Sequence, residues 1–288
     1  MENIPRIALT GANGFVGRNL RRFLKKQKIK VISIARRNLS SFPSETKIIV
    51  NNFSKIQPSK LKNCTSLIHL IGSGRENVEN DYNYVNFEIT KKIVEICKKA
   101  KIKKIVFNSG LGVSENSTNS YFISKYKAEQ VIINSGLDYT IFRPSYIVGK
   151  DDPLTKCIKK QIKKGIVQIP GSGNYKLQPI FVDDVAKILF KATKSKKFSR
   201  KIIDLVGPKT VSFENYISDL VGSKKIKIQK INLEQAYFEA LHNPKSVYGV
   251  DDLNIMIGSF TGSSKKLEKL SDLTLQSYKQ ILKSSSPT

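Results

Sequence analysis

The sequence predicts an α/β protein built on a doubly wound parallel sheet, with a small C-terminal cap on its substrate side. Two observations predict it. Six short β-branched runs fall within the first 144 residues and are separated by helix-length segments, the pattern of right-handed crossovers that cover both faces of a parallel sheet. A glycine-rich turn, "TGANGFVG" at 10–17, joins the first run to an amphipathic stretch.

The first strand is "RIALT" (6–10), and after the turn "GRNLRRFLKK" has helical spacing. "KVISIA" (30–35), "KIIVNN" (47–52) and "SLIHLIG" (66–72) read as buried strands. Through 84–100 Val85, Ile89, Ile93, Ile96 and Ala100 line one helix face and lysines take the other. "KKIVFNS" (103–109) is the fifth strand, "YFISKYKAE" opens the next helix, and "DYTIFRP" (138–144) is the sixth strand. Beyond residue 150 the alternation loosens. "DDPLTKCIKKQIKKG" reads as helix, "IPGSGNYKLQ" as a loop, and "PIFVDDVAKILFKATKS" as a strand entering a helix, an order that "KIIDLVGPKTVSFENYISDLVG" repeats. The expected division is a dinucleotide-binding unit over 1–150, completed by about 178–206, and a smaller substrate-side region over 151–177 and 207–288 whose tail "KSSSPT" frays.

With 288 residues and 40% apolar content the chain can fill a sizeable core. No apolar run reaches the ~18 residues of a membrane span and no cleavable leader is visible, so the expectation is a cytoplasmic protein. Cys64, Cys97 and Cys157 lie far apart without metal-ligand spacing and read as reduced structural thiols, with no metal expected. The net charge is +27, but the 41 lysines are spread over outer helix faces without interleaved aromatics. That pattern reads as a solvated basic surface, so nucleic acid is an unlikely partner.

Gly11, Gly14 and Gly17 keep side chains away from the amides at a helix N-terminus, where a pyrophosphate binds. At the end of the second strand stand Arg36 and Arg37, and no Asp or Glu occurs from Val31 through Pro43. An acidic residue there would hold ribose hydroxyls; arginines, with Arg18 beside the turn, suit a 2′-phosphate. NADP(H) is therefore expected over NAD(H). Tyr121 and Lys125 lie four apart on one helix face, a spacing that lets an ammonium favour the phenolate of a proton-transferring tyrosine. Tyr146 and Lys150 share the spacing, but only Tyr121 opens a helix just after the fifth strand. His69 and His242 have no carboxylate or cysteine nearby in sequence and read as structural.

"TGANGFVGR", "YVNFEITKKIVEICKKAKIKKIVFNSG", Tyr121 with Lys125, "TIFRPSYIVG" and "LQPIFVDDVAKIL" together resemble the short-chain dehydrogenase/reductase superfamily. The resemblance covers about residues 4–222 and lies in its extended and atypical branches, among epimerases and dehydratases. Within them it is nearest the group holding the accessory subunit of respiratory complex I, with NmrA-like proteins as neighbours. It implies a Rossmann fold and an active-site set of Asn86, Tyr121 and Lys125. It also implies dinucleotide contacts from Thr10, Gly11, Asn13, Gly14, Phe15, Val16, Gly17 and Arg18, and from Arg36, Arg37, Asn52 and Phe53. Leu70, Ile71 and Gly72 follow, and Asn86, Tyr121, Lys125, Pro144, Ser145 and Ile147 complete the nicotinamide end. The family's substrate-binding Ser or Thr falls on Gly110, with Ser109 one residue early as the candidate hydroxyl and Ser114 four late. An adenine-contacting acid of relatives is matched by Asn52.

Three readings follow. The chain is an oxidoreductase, epimerase or dehydratase on a small or nucleotide-linked substrate, supported by Tyr121 and Lys125. It is a cofactor-binding structural or redox-sensing protein with little turnover, at the periphery of a membrane complex or on a protein partner, supported by Gly110 and the lysine-rich surface and implied by the complex I group. The third, a nucleic-acid binder, rests on charge alone.

Overall fold

The computed structural model describes residues 6–74, 76, 81–243 and 246–280. The first part of the chain runs β1 (Arg6–Thr10), α1 (Phe15–Lys26), β2 (Lys30–Ala35), β3 (Glu45–Ile49), β4 (Cys64–His69), α2 (Ile89–Lys99), β5 (Lys104–Asn108), α3 (Ser120–Ile133) and β6 (Asp138–Pro144), with no α-helix between β2 and β3 or between β3 and β4. Then come β7 (Ile147–Val148), α4 (Pro153–Lys163), β8 (Ile166–Pro170), β9 (Lys176–Leu177), β10 (Ile180–Phe181), α5 (Val182–Lys194) and β11 (Lys201–Leu205). The last elements are β12 (Val211–Ser212), α6 (Phe213–Val221), β13 (Lys227–Ile231), α7 (Leu233–His242), α8 (Val250–Ile257) and α9 (Ser264–Ser271).

Seven strands form one sheet in the order β11-β6-β5-β4-β1-β2-β3, every neighbouring pair parallel. The order reverses at β1, and in such sheets ligands bind outside the carboxyl ends of the strands at that reversal. One face buries Leu20 and Leu24 of α1 with Val185, Ile188 and Leu189 of α5. The other buries Ile89, Ile93 and Cys97 of α2 with Ala128 and Ile132 of α3. A third core, around Phe213, Tyr216, Ile217 and Leu253, belongs to the cap of α4, α6, α7 and α8. The chain then returns: Leu267 and Leu275 pack into the α1/α5 core, and Gln276 N donates to the Asp184 carboxylate of α5 at 2.8 Å. The expectation of a frayed "KSSSPT" concerns residues outside those described. Among the described residues no helix is long and apolar enough to cross a membrane.

The sheet is shorter than its apolar runs. β3 stops at Ile49 and β4 at His69, so 50–52 and 70–72 leave their expected strands. Asn52 is exposed and caps a short helical turn, its Oδ1 accepting from Ser54 N at 2.9 Å. Leu70, Ile71 and Gly72 leave the ladder to line a groove at the strand ends. Before α2, Asn83–Glu88 form a π-helical stretch, a conformation frequent at functional sites.

Candidate functional site

A groove of about 450 Å³ runs over the carboxyl ends of β1, β2 and β4. Gly11, Asn13 and Gly14 line it on one side, Arg36, Arg37 and Phe53 at one end, and Leu70, Ile71 and Gly72 on the other side. The glycines are required by space. Gly11 adopts φ +72°, and a β-carbon there would stand 2.8 Å from the Leu70 carbonyl; one on Gly17 would stand 2.2 Å from the Gly11 oxygen. Gly14 caps α1 without any side-chain hydrogen bond, and the first turn holds no acidic residue. The first amides of α1 therefore face the groove with the positive end of the helix dipole behind them. Asn13 fixes the turn: its Nδ2 donates to Arg37 O at 2.9 Å, and Arg18 donates to Asn13 O at 2.6 Å. A cradle shut to any β-carbon, open amides and two exposed arginines fit a dinucleotide phosphate chain.

Other predicted contacts lie behind this surface. Thr10 is buried and bonded to His69, and Gly17 is buried in the close packing of α1 on the turn. Phe15 and Val16 are half-buried on the first turn of α1, and Asn52 is occupied with its cap while Asn51 faces the groove. Pro144, Ser145 and Ile147 join the sheet to the cap: Pro144 O accepts from Leu111 N, Ser145 Oγ accepts from Gln178 N at 3.3 Å, and Ile147 pairs with Ile180. Asn51, Ser73, Tyr84 and Val85 also line the groove; the sequence marked only Val85, and that as part of an apolar helix face.

At the inner end Lys125 is buried, with Nζ 3.3 Å from Asn108 O and 5.2 Å above the Phe107 ring. A β-carbon on Gly72 would come within 2.6 Å of that nitrogen, so the bare glycine lets the ammonium reach the groove wall. The π-helical stretch delivers Asn86 beside it: Oδ1 accepts from Ser73 N at 3.0 Å and Nδ2 donates to Ser124 Oγ at 3.0 Å. Behind Asn86 runs a buried relay. Thr90 Oγ1 donates to Asn86 O, which leaves it only as acceptor toward His69, so His69 Nε2 carries the proton and Nδ1 accepts from Thr10. His69 is structural, as read from sequence, and burial beside Lys125 lowers its pKa to about 3.

The Tyr121 phenol lies against Gly110, and its backbone N–H is held by the Asn119 side chain at 2.9 Å. Its ring meets Tyr82 edge-on at 5.6 Å, and the Tyr82 hydroxyl donates to Asp251 of α8 at 2.5 Å. Phe122 meets Phe260 in turn, so the cap covers the helix that bears the phenol. Burial, reinforced by Asp251, pushes Tyr121 up to about 12, whereas burial lowers Lys125 to about 8 against the pull of Glu129. The expectation that Lys125 holds the phenol down thus meets a stronger opposing effect: the tyrosine is kept neutral, in its proton-donating form. Gly110 presses on this hydroxyl, since a β-carbon there would stand 3.0 Å from it. The buried Ser109 hydroxyl and Asn108 Oδ1 have no hydrogen-bond partner among the described residues.

Residues 7–205 match the model of the NAD dependent epimerase/dehydratase family, and the chain belongs to that family. A mitochondrial NADH dehydrogenase [ubiquinone] 1 alpha subcomplex subunit 9 of Arabidopsis thaliana is 28% identical over 69% of this chain and 52% of its own length. The chain thus spans about half of that curated relative. Among solved structures, MoeE5 in complex with UDP-glucuronic acid and NAD superposes with TM-score 0.75 at 18% identity, covering 96% of each chain. The Escherichia coli NADPH-dependent quinone oxidoreductase complexed with NADPH superposes with TM-score 0.74 at 17% identity, covering 96% of this chain and 99% of that one. These show the Rossmann fold, and the family supports nicotinamide dinucleotide binding, which the glycine cradle of the groove fits.

Proposed function

We propose that the chain is an NADP(H)-linked oxidoreductase acting on a carbonyl or alcohol of a small or nucleotide-linked substrate. One observation carries the reading: the buried Lys125 ammonium stands behind Gly72 of a groove whose other end carries Arg36 and Arg37, and Tyr121, one helical turn before Lys125 on α3, keeps its phenol neutral. When bound, the dinucleotide supplies the two-electron donor or acceptor. Tyr121 gives its proton to a substrate oxygen; Lys125, steadied by Asn108 O, holds the ribose side and favours the phenolate left behind. Asn86 ties Ser73 to Ser124 of α3 through its side-chain amide. A phenol near 12 favours the reductive direction, because the oxidative one needs the phenolate at the start.

Arg36 and Arg37 support NADP(H), since a 2′-phosphate accepts charge-assisted hydrogen bonds that a ribose hydroxyl cannot match. Each is worth roughly 1.5–3 kcal/mol, so NADPH binds at least about tenfold more tightly than NADH. Fluorescence titration of the wild type and Arg36→Ala tests this: the preference shrinks in the variant, and equal wild-type affinities overturn it. Tyr121→Phe removes most of kcat and leaves NADPH affinity almost unchanged.

A second reading, a cofactor-holding protein with little turnover, is favoured by Gly110, where the family's substrate-binding hydroxyl is missing, and by the likeness to a complex I subunit. NADPH retained through purification with no turnover on carbonyl or nucleotide-sugar substrates selects it. Location, in the cytoplasm or at the edge of a membrane complex, belongs to the same proposal and is read by cell fractionation.

A further inference from the structure

A second groove, of about 570 Å³, opens at the far ends of α1 and α5, away from the phosphate turn. Its floor is Phe23, Phe190, Phe198, Leu270 and Leu273, with the Phe23 and Phe190 rings edge-to-face at 5.6 Å. Its rim is cationic. Lys187 pairs with Asp184 at 3.0 Å, and Lys191 caps the end of α9 through Ser271 O and Asp272 O. Lys194 lies 4.0 Å over the Phe190 ring and makes no ion pair among the described residues. Asp272, the carboxylate on the rim, is held by Lys197 at 2.9 Å. Four lysines thus face two carboxylates, both already paired.

We propose that this groove binds a free aliphatic carboxylate, its alkyl chain on the phenylalanine and leucine floor and its head between Lys191 and Lys194. The volume falls within the roughly 300–1,000 Å³ of small-ligand sites, and an apolar floor with a few charged groups on one rim is the arrangement that fixes an amphiphile's direction. Lys194 Nζ lies over the Phe190 ring and Lys191 Nζ lies at the end of α9, so an anionic head meets charge at the edge of the apolar floor. No group of the dinucleotide site takes part, so this site stands or falls independently of the proposed reaction.

Calorimetric titration of the NADPH-loaded protein with dodecanoate, below its micellar concentration, tests the proposal. Saturable binding of one dodecanoate is expected, with no heat from acetate and at least about tenfold weaker binding of neutral dodecyl maltoside. Lys194→Glu, at an exposed position, weakens dodecanoate about tenfold. Gln27→Trp, which fills the groove from the exposed end of α1, abolishes binding while NADPH affinity and circular dichroism stay at wild-type values. Equal binding by the wild type and Lys194→Glu, or undiminished binding to Gln27→Trp, overturns the assignment. So does Lys194-dependent flotation with phosphatidylglycerol vesicles in the absence of dodecanoate binding, which gives the groove to a lipid surface. A Lys194-dependent dimer in gel filtration would likewise give it to a second copy.

Discussion

His69 is the last residue of β4, fully buried, hydrogen-bonded on both nitrogens and stacked on Phe107 at 5.4 Å. Protonating it would bury a charge away from water and beside the Lys125 ammonium, hence its pKa of about 3. In the unfolded chain it titrates near 6.5, so the unfolded state takes up the proton first as pH falls. Stability is whole above pH 6.5 and falls between 6.5 and 3, by on the order of 5 kcal/mol from this residue alone. Urea denaturation at pH 7, 5.5 and 4.5 checks it: His69→Gln is less stable at pH 7 but loses less on acidification. Lys125 has the opposite consequence for activity. With its pKa near 8, kcat/KM for carbonyl reduction falls as pH rises through about 8, because the ammonium is lost while Tyr121 stays protonated. Gly110 completes the residue-scale picture. Gly110→Ser places a β-carbon 3.0 Å from a hydroxyl whose ring is held between Tyr82 and Phe122, so the variant loses about 1–3 kcal/mol in urea denaturation and gains no activity.

At the scale of elements, the turn before α1 does two jobs that its three glycines divide. Gly11 and Gly14 open the backbone to phosphate, whereas Gly17 lets the helix lie against the turn. Gly17→Ala puts a methyl 2.2 Å from the Gly11 oxygen, so the helix must move and the amides lose their aim. NADPH affinity should fall by more than about tenfold along with a stability loss of roughly 1–3 kcal/mol, whereas Arg36→Ala should leave stability unchanged. This turn was legible in the sequence because its chemistry is local, as were β1, β2 and β6, whose ends fall at the expected residues. The ends of β3 and β4 were not. Leu70 and Ile71 are as apolar as their strand, and periodicity cannot separate residues paired in a ladder from extended ones lining a groove. The π-helical stretch that turns Asn86 inward leaves no compositional trace. The Tyr82–Asp251 bond joins residues 169 apart, so the wall around Tyr121 arises only when the cap closes on the sheet.

The whole molecule carries 50 basic side chains against 23 acidic ones. Its buried ion pairs already use Glu45 and Glu129, bonded to Arg21 and Arg143, and many lysines are left on exposed helix faces. Such a surface repels itself and favours expanded states. Screening acts over about 10 Å at 0.1 M salt and about 30 Å at 0.01 M, so the repulsion is largely removed within that range. The melting temperature should therefore rise between 0.01 and 0.2 M sodium chloride. Ion pairs would predict the reverse, but exposed ones contribute only about 0–1 kcal/mol each and few carboxylates are available to form them. The same reasoning fixes the behaviour toward nucleic acid. Dispersed lysines release counterions from any polyanion, giving binding at low salt with a steep dependence on salt concentration and no preference among sequences. Fluorescence anisotropy with two unrelated DNA duplexes should show equal binding at 0.02 M salt and none near 0.15 M. A duplex still held at 0.15 M, with its competitor released, would mean that the lysines form a reading surface after all.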